Sequence, residues 1–199
     1  MMAMTHALAG LLLATFVVQL GGGDPATVVA AAVAGSVFPD LDIYAGHRKT
    51  LHFPVFGWFP AGLAVVLALA IPTTATLALA TFLVAAALHP VMDLYGGGLE
   101  LRPWEGRSEK AVYSHYHGRW LAPRRLVPYD GSPRDLALAG VLGVPALTLP
   151  EPVPPLVVVT IVVGGVYVAL RKRLATVWSQ VARALPPELR HHVPERFYE

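Results

Sequence analysis

Asp40, Asp42, His47 and His52 fall within one short stretch, PDLDIYAGHRKTLHFP, between Pro39 and Pro54. Imidazole and carboxylate together suit zinc, manganese or iron, and three protein ligands with one open position make a catalytic metal site. His89 and Asp93, in LHPVMDLYGGG, are four residues apart and so share one face of a helix. His6 completes a set of seven candidate ligands, more than one tetrahedral ion needs. A second ion is therefore allowed, and two ions ~3.5–4 Å apart would clamp a phosphoryl group between them. A bound cation would also relieve the mutual repulsion of the clustered aspartates. Singly, each residue has a plainer use. Asp40 and Asp42 can shape a turn after Pro39, His6 can sit idle at an interface, and His47 can belong to a basic loop with Arg48 and Lys49. His89 and Asp93 resist that reading, because ionisable groups inside apolar spans mark functional sites.

The elements that must carry these residues are apolar. Of 199 residues 55% are hydrophobic and only 14% charged, which excludes an ordinary soluble domain composition. The absence of cysteine removes disulfides, thiolate chemistry and thiolate-bound zinc. Six apolar segments follow one another: His6 to Leu20, Ala26 to Phe38, Pro54 to Ile71, Thr73 to Tyr95, Pro133 to Leu149 and Pro155 to Leu170. Asp24–Pro25 and Ser132–Pro133 read as an N-cap followed by a first-turn proline, and the triple glycines at Gly21 and Gly96 read as helix ends. Several segments fall below the ~20 residues of a usual span. Charge supports all six nonetheless: the connections GGGDP, PTT and PEPVPP hold no Lys or Arg. Every Lys and Arg lies in the Arg48–Lys49 loop, in the Arg102 to Arg134 loop, or in the tail from Arg171. The positive-inside rule then places both termini in the cytoplasm. The expected fold is an all-α polytopic membrane protein of about six transmembrane helices, with a metal site at its cytoplasmic face. Its membrane domain covers 1–170, with cytoplasmic loops 39–53 and 96–134, and 171–199 forms an amphipathic helix followed by a loose end.

The succession of an early His, PDLD, HRKTLH, LHPVMD and GGGLELRPW resembles the YdjM-type family of inner-membrane, metal-dependent hydrolases. The resemblance covers Met4 to Trp104, about half of the chain. It implies a membrane-bound hydrolase, distantly akin to zinc-dependent phospholipase C and nuclease folds, whose metal ligands match His6, Asp40, Asp42, His47, His52, His89 and Asp93. Two features depart from the family pattern: Leu51 and Phe53 flank His52 where Thr and Ser are common, and Pro90 follows His89. Pro90 also disfavours a helical His89, so a local kink is expected there.

The second polar loop carries His115, His117, Arg119, Arg124 and Arg125 among aromatic residues. It reads either as a lid offering arginines to phosphate or as a basic loop drawn to anionic lipid. No phosphate-cradling glycine loop, serine-nucleophile elbow or internal repeat is present, and no nucleic-acid partner is expected. The expected cofactor is a divalent metal, zinc first, with manganese or iron as alternatives. The expected activity is hydrolysis of a phosphoester, lipid-linked given the site's position, by metal-activated water, with Asp42 and Asp93 as catalytic carboxylates. The alternatives are a small metal-ion transporter and a non-catalytic membrane protein with a structural metal.

Overall fold

The computed structural model describes residues 1–190 together with Val193, Phe197 and Tyr198. The end of the tail, with His191 and His192, lies outside the described residues, so the expected loose end is not addressed there. The chain is predominantly helical: α1 Ala3–Gln19, α2 Pro25–Val37, α3 Trp58–Ala70, α4 Thr74–Leu94, α5 Pro133–Gly143 and α6 Val153–Ala184, with a final turn, α7, at Pro187–Arg190. Each expected apolar segment is a helix, and the caps lie where the sequence places them. Asp24 accepts from the Thr27 amide at 2.8 Å, and Ser132 accepts from the Asp135 amide at 3.2 Å.

Three stretches are long and apolar enough to cross a membrane: Pro25–Tyr44, Thr74–Leu94 and Val153–Ala184. Helices α1 and α3 are apolar but shorter. The 13 residues of α3 rise only about 20 Å, against a hydrocarbon core of ~30 Å. Helix α5 gives way at Val144–Thr148 to a 3₁₀ turn containing Pro145, which has no amide to continue an α-helix.

Other boundaries differ from expectation. The sixth helix does not stop at Leu170 but runs unbroken to Ala184, so the amphipathic tail is its continuation. Helix α4 passes through Pro90 without interruption, keeping His89 and Asp93 on one helical face. The fold is also not purely helical. Val112–Ser114 (β1) and Arg119–Leu121 (β2) pair antiparallel, Tyr113 opposite Trp120, as a small hairpin in the second polar loop.

In space the helices neighbour one another in the order α3, α4, α2, α1, α5, α6. Small residues set the spacing at the centre. A Cβ on Gly35 of α2 would collide with the Phe82 backbone of α4, so these helices touch main chain to main chain there. Ala14, Val28 and Ala32 close the α1–α2 seam, and Leu8, Ala139 and Val157 tie α1 to α5 and α6. That close approach brings the first turns of α1, the end of α2 and the end of α4 to one point.

Candidate metal centre

After Val37 the chain tightens into a 3₁₀ segment, Phe38–Tyr44, in which Pro39 has no amide to bond back. With three residues per turn, Asp40 and Asp42 point about 120° apart. They serve different neighbours. Asp40 Oδ1 faces His89 Nε2 at 3.4 Å, whereas Asp42 turns into the loop that follows. There it accepts from His47 Nδ1 (3.1 Å), the Arg48 amide (3.3 Å), the Leu51 amide (3.0 Å) and His52 Nδ1 (3.0 Å).

The second half of the site comes from α4. His89 Nε2 stands 3.4 Å from Asp93 Oδ2, one helical turn on, and His52 Nε2 stands 3.6 Å from the same oxygen. Asp40, His52, His89 and Asp93 each offer one ligand atom, all within 4.8 Å of one another. The tautomers are fixed from behind. A carbonyl oxygen can only accept, so His89 Nδ1 carries the proton it donates to Ser36 O at 2.5 Å. His52 Nδ1 likewise donates to the Asp42 carboxylate. In the neutral imidazoles both Nε2 atoms are then lone-pair acceptors; both are buried, and neither has a hydrogen-bond partner. Two imidazole nitrogens facing two carboxylates repel one another unless protons or a metal cation lie between them. The spacing fits one. A tetrahedron with bonds of about 2.0–2.1 Å has edges of about 3.3–3.4 Å; three of the six edges here are 3.4–3.6 Å, and the others lie within 4.8 Å.

His6 is buried beside this set and belongs to its support. Its ring stacks on His89 with centroids 3.7 Å apart, and its Nε2 donates to Asp93 Oδ1 at 3.2 Å. The Met1 amino group reaches the same oxygen. Asp93 thus presents Oδ2 to His52 and His89. His47, within 4.0 Å of Asp40, also sits behind the four, and Asp42, His47 and His52 form a second cluster. A second ion there would displace the hydrogen bonds that orient both imidazoles, so the seven candidates divide into four facing one centre and three that hold them. One expectation changes accordingly. Asp42 is not placed to act as a base, because four donors occupy both of its oxygens and its side chain is sealed from solvent. Asp93, expected both as a ligand and as a catalytic carboxylate, is buried and shared among His6, His52 and His89.

Arg48 is the residue that sequence reasoning passed over. Its φ of 60° is left-handed, a strained state for a side chain that large. The guanidinium holds it there: NH1 donates to Gly97 O at 2.9 Å, and Nε lies 3.5 Å from Asp93 Oδ2. The hairpin clamps the same loop from outside. The Tyr113 amide donates to Arg48 O at 2.9 Å, and His115 Nε2 donates to Lys49 O at 2.7 Å. Gly98 lets this layer close, since a Cβ would lie 2.5 Å from Ser108 O. His115 and His117 therefore stay outside the centre, His117 being tied to Ser114 Oγ at 2.8 Å. Arg125 spends its charge on Gly106 O, Ser108 O and Glu109.

A cavity of about 430 Å³ opens on the exposed edge of Asp40, lined also by His47 and Arg48. Its far wall is α6, where Arg171 grips Asp130 at 2.8 and 3.0 Å and Tyr167 donates to Asp130 at 2.7 Å. Burial would raise the Asp130 carboxyl, but the Arg171 hydrogen bonds and charge hold it below the usual carboxylate range. Compared with known proteins, the chain is matched by no family model, no curated sequence and no solved structure.

Proposed function

We propose that this chain is a membrane-bound, metal-dependent hydrolase that cleaves a phosphoester in the cavity beside Asp40. The observation that carries the reading is the pair of buried, partnerless Nε2 atoms of His52 and His89, aimed at the Asp40 and Asp93 carboxylates. Those four residues would hold one divalent ion, with zinc favoured by the mixed imidazole and carboxylate set. Such an ion supplies Lewis acidity and a water acidic enough to attack near neutral pH. The chain supplies the rest. Asp42 accepts from Nδ1 of both His52 and His47, orienting His52 for coordination and holding His47 at the cavity wall. Arg48 adds the positive charge for an anionic ester oxygen.

The topology proposed with this reading has six membrane-inserted helices, α1, α3 and α5 being accommodated by tilt and by local thinning of the bilayer. Both termini and the metal centre lie on the cytoplasmic side, where all the Lys and Arg loops gather. The relationship to the YdjM-type hydrolases belongs to the same proposal. It is supported by the way residues of PDLD, HRKTLH and LHPVMD converge on one point. Hydrolysis of phosphoesters by the purified chain, lost with chelator and restored by zinc, tests the activity. Asp93→Asn should lower turnover at least about tenfold in a folded protein. Metal flux into vesicles with no hydrolysis of any phosphoester would instead make the chain a transporter.

A further inference from the structure

We infer that the β1–β2 hairpin rests on the membrane, its tip at Tyr116 lodged between lipid headgroups and acyl chains beside the start of α3. The inference rests on α4 crossing the bilayer and is independent of the metal and hydrolysis readings. It begins from depth. The 21 residues of α4 rise about 31 Å, close to a hydrocarbon core of ~30 Å. Helix α3 starts well short of the end of α4, since a Cβ on Gly57 would lie 3.3 Å from the Ala87 Cβ. From Ala87 to Leu94 the helix rises a further 10 Å or so, about two turns, which puts Gly57 that far inside the end of α4. The hairpin descends to the same level. Its upper end is fixed beside Asp93, where the Tyr113 amide donates to the carbonyl of Arg48. The chain then runs up to about 10 Å farther, at roughly 3.3 Å per residue, to Tyr116. On the way His115 packs on Phe53, and Tyr116 meets Phe56, the neighbour of Gly57, edge-on with centroids 5.9 Å apart.

The surface at that level has the chemistry of a lipid interface. Phe59 and Tyr116 are 70% and 62% exposed, and Phe53, Phe56 and Trp58 are exposed beside them. Aromatic rings gather at headgroup level because one end can be apolar while the other stays wet. The charge is of one sign. Neither 43–59 nor 110–125 contains an acidic residue, whereas Lys49, Lys110 and Arg119 are exposed. Lipid phosphates complement that charge. The two-stranded sheet has open edges, whose unpaired backbone groups keep the hairpin out of the hydrocarbon itself. Seated there, the hairpin braces the candidate centre, because Tyr113 and His115 hold the Arg48 and Lys49 carbonyls.

The test is spin labelling of the full chain in phosphatidylcholine–phosphatidylglycerol vesicles, which is clean because the chain has no cysteine of its own. Labels go at His117→Cys on the tip, which keeps Tyr116, at Leu79→Cys on the exposed face of α4, and at Arg107→Cys in the polar loop. Collisions with a water-soluble nickel chelate and with oxygen, which concentrates among acyl chains, give the depth of each. The His117 label should collide with nickel several-fold less than the Arg107 label, and should lie shallower than the Leu79 label. Tyr116→Ser added to His117→Cys should raise nickel collisions several-fold. A His117 label as open to nickel as Arg107 would overturn the seating, and one as deep as Leu79 would overturn its level. Shielding from nickel and oxygen alike would mean protein cover, such as a second copy of the chain, and would overturn the lipid assignment. No change with Tyr116→Ser would overturn the anchoring by Tyr116. A Leu79 label open to nickel defeats the membrane crossing of α4 and this inference together, whereas any other adverse result defeats this inference alone.

Discussion

Asp42→Asn separates a carboxylate that orients from one that ligates. Asp42 accepts four hydrogen bonds, two on each oxygen, and asparagine has only one oxygen to offer. The better orientation keeps that oxygen toward His52 Nδ1 and the Leu51 amide, both at 3.0 Å. The bond to His52 then falls from charge-assisted, ~1.5–3 kcal/mol, to neutral, ~0.5–1.5 kcal/mol. A difference of about 1–2 kcal/mol predicts zinc affinity weakened roughly 5- to 30-fold, overlapping the range usual for partners of metal-ligating histidines. On the other side the new amide NH₂ faces the Arg48 N–H and His47. The stranded Arg48 amide should cost about 1–3 kcal/mol of stability. Competition with a chromophoric chelator gives the affinity, and thermal unfolding in detergent gives the stability. Zinc affinity within about twofold of wild type would refute the orienting role. Loss of zinc as complete as in Asp93→Asn would make Asp42 a ligand.

The other expectations are simpler. The Asp130 carboxyl titrates below its unfolded value of ~3.9, so its contribution to stability is complete above that pH and is lost as pH falls through the depressed value. Asp130→Asn should accordingly lower the melting temperature at pH 7 and flatten its decline below about pH 4; an unchanged acid limb would show that the pair contributes little. His115→Ala gives up one exposed bond to the Lys49 carbonyl and should cost no more than about 1 kcal/mol, with zinc content unchanged; zinc loss would make His115 a ligand. Reporter fusions before Met1 and after Glu199 should both report the cytoplasm, and an external signal from either would contradict six spans.

Much of the centre was legible in the sequence because its residues are costly where they stand. Ionisable groups at the ends of apolar segments have few reasons to be there, and the His89–Asp93 spacing survives as a helical face despite Pro90. The caps at Asp24 and Ser132 were legible for a local reason: each bonds within its own first turn. Roles were not legible. Asp40 and Asp42 look equivalent as letters, and only the 3₁₀ turn sends one to His89 and the other to His47 and His52. Arg48 escaped notice because its guanidinium acts through Gly97 and Asp93, far along the chain. The length of α6 was misjudged because RKR reads as the end of a span, although Arg171 is held at the helix surface by Asp130. The hairpin is three residues a side, too short for alternation to register.

The most direct measurement is metal stoichiometry on the full chain, loaded with zinc in detergent, desalted and weighed against protein by elemental analysis. The wild type should retain about one zinc per chain, and the His52→Ala and His89→Ala variants should each retain less than about a tenth of that while remaining helical and monodisperse. A folded wild type that emerges without metal after loading with zinc, manganese or iron would contradict the convergence of Asp40, His52, His89 and Asp93 on a bound ion.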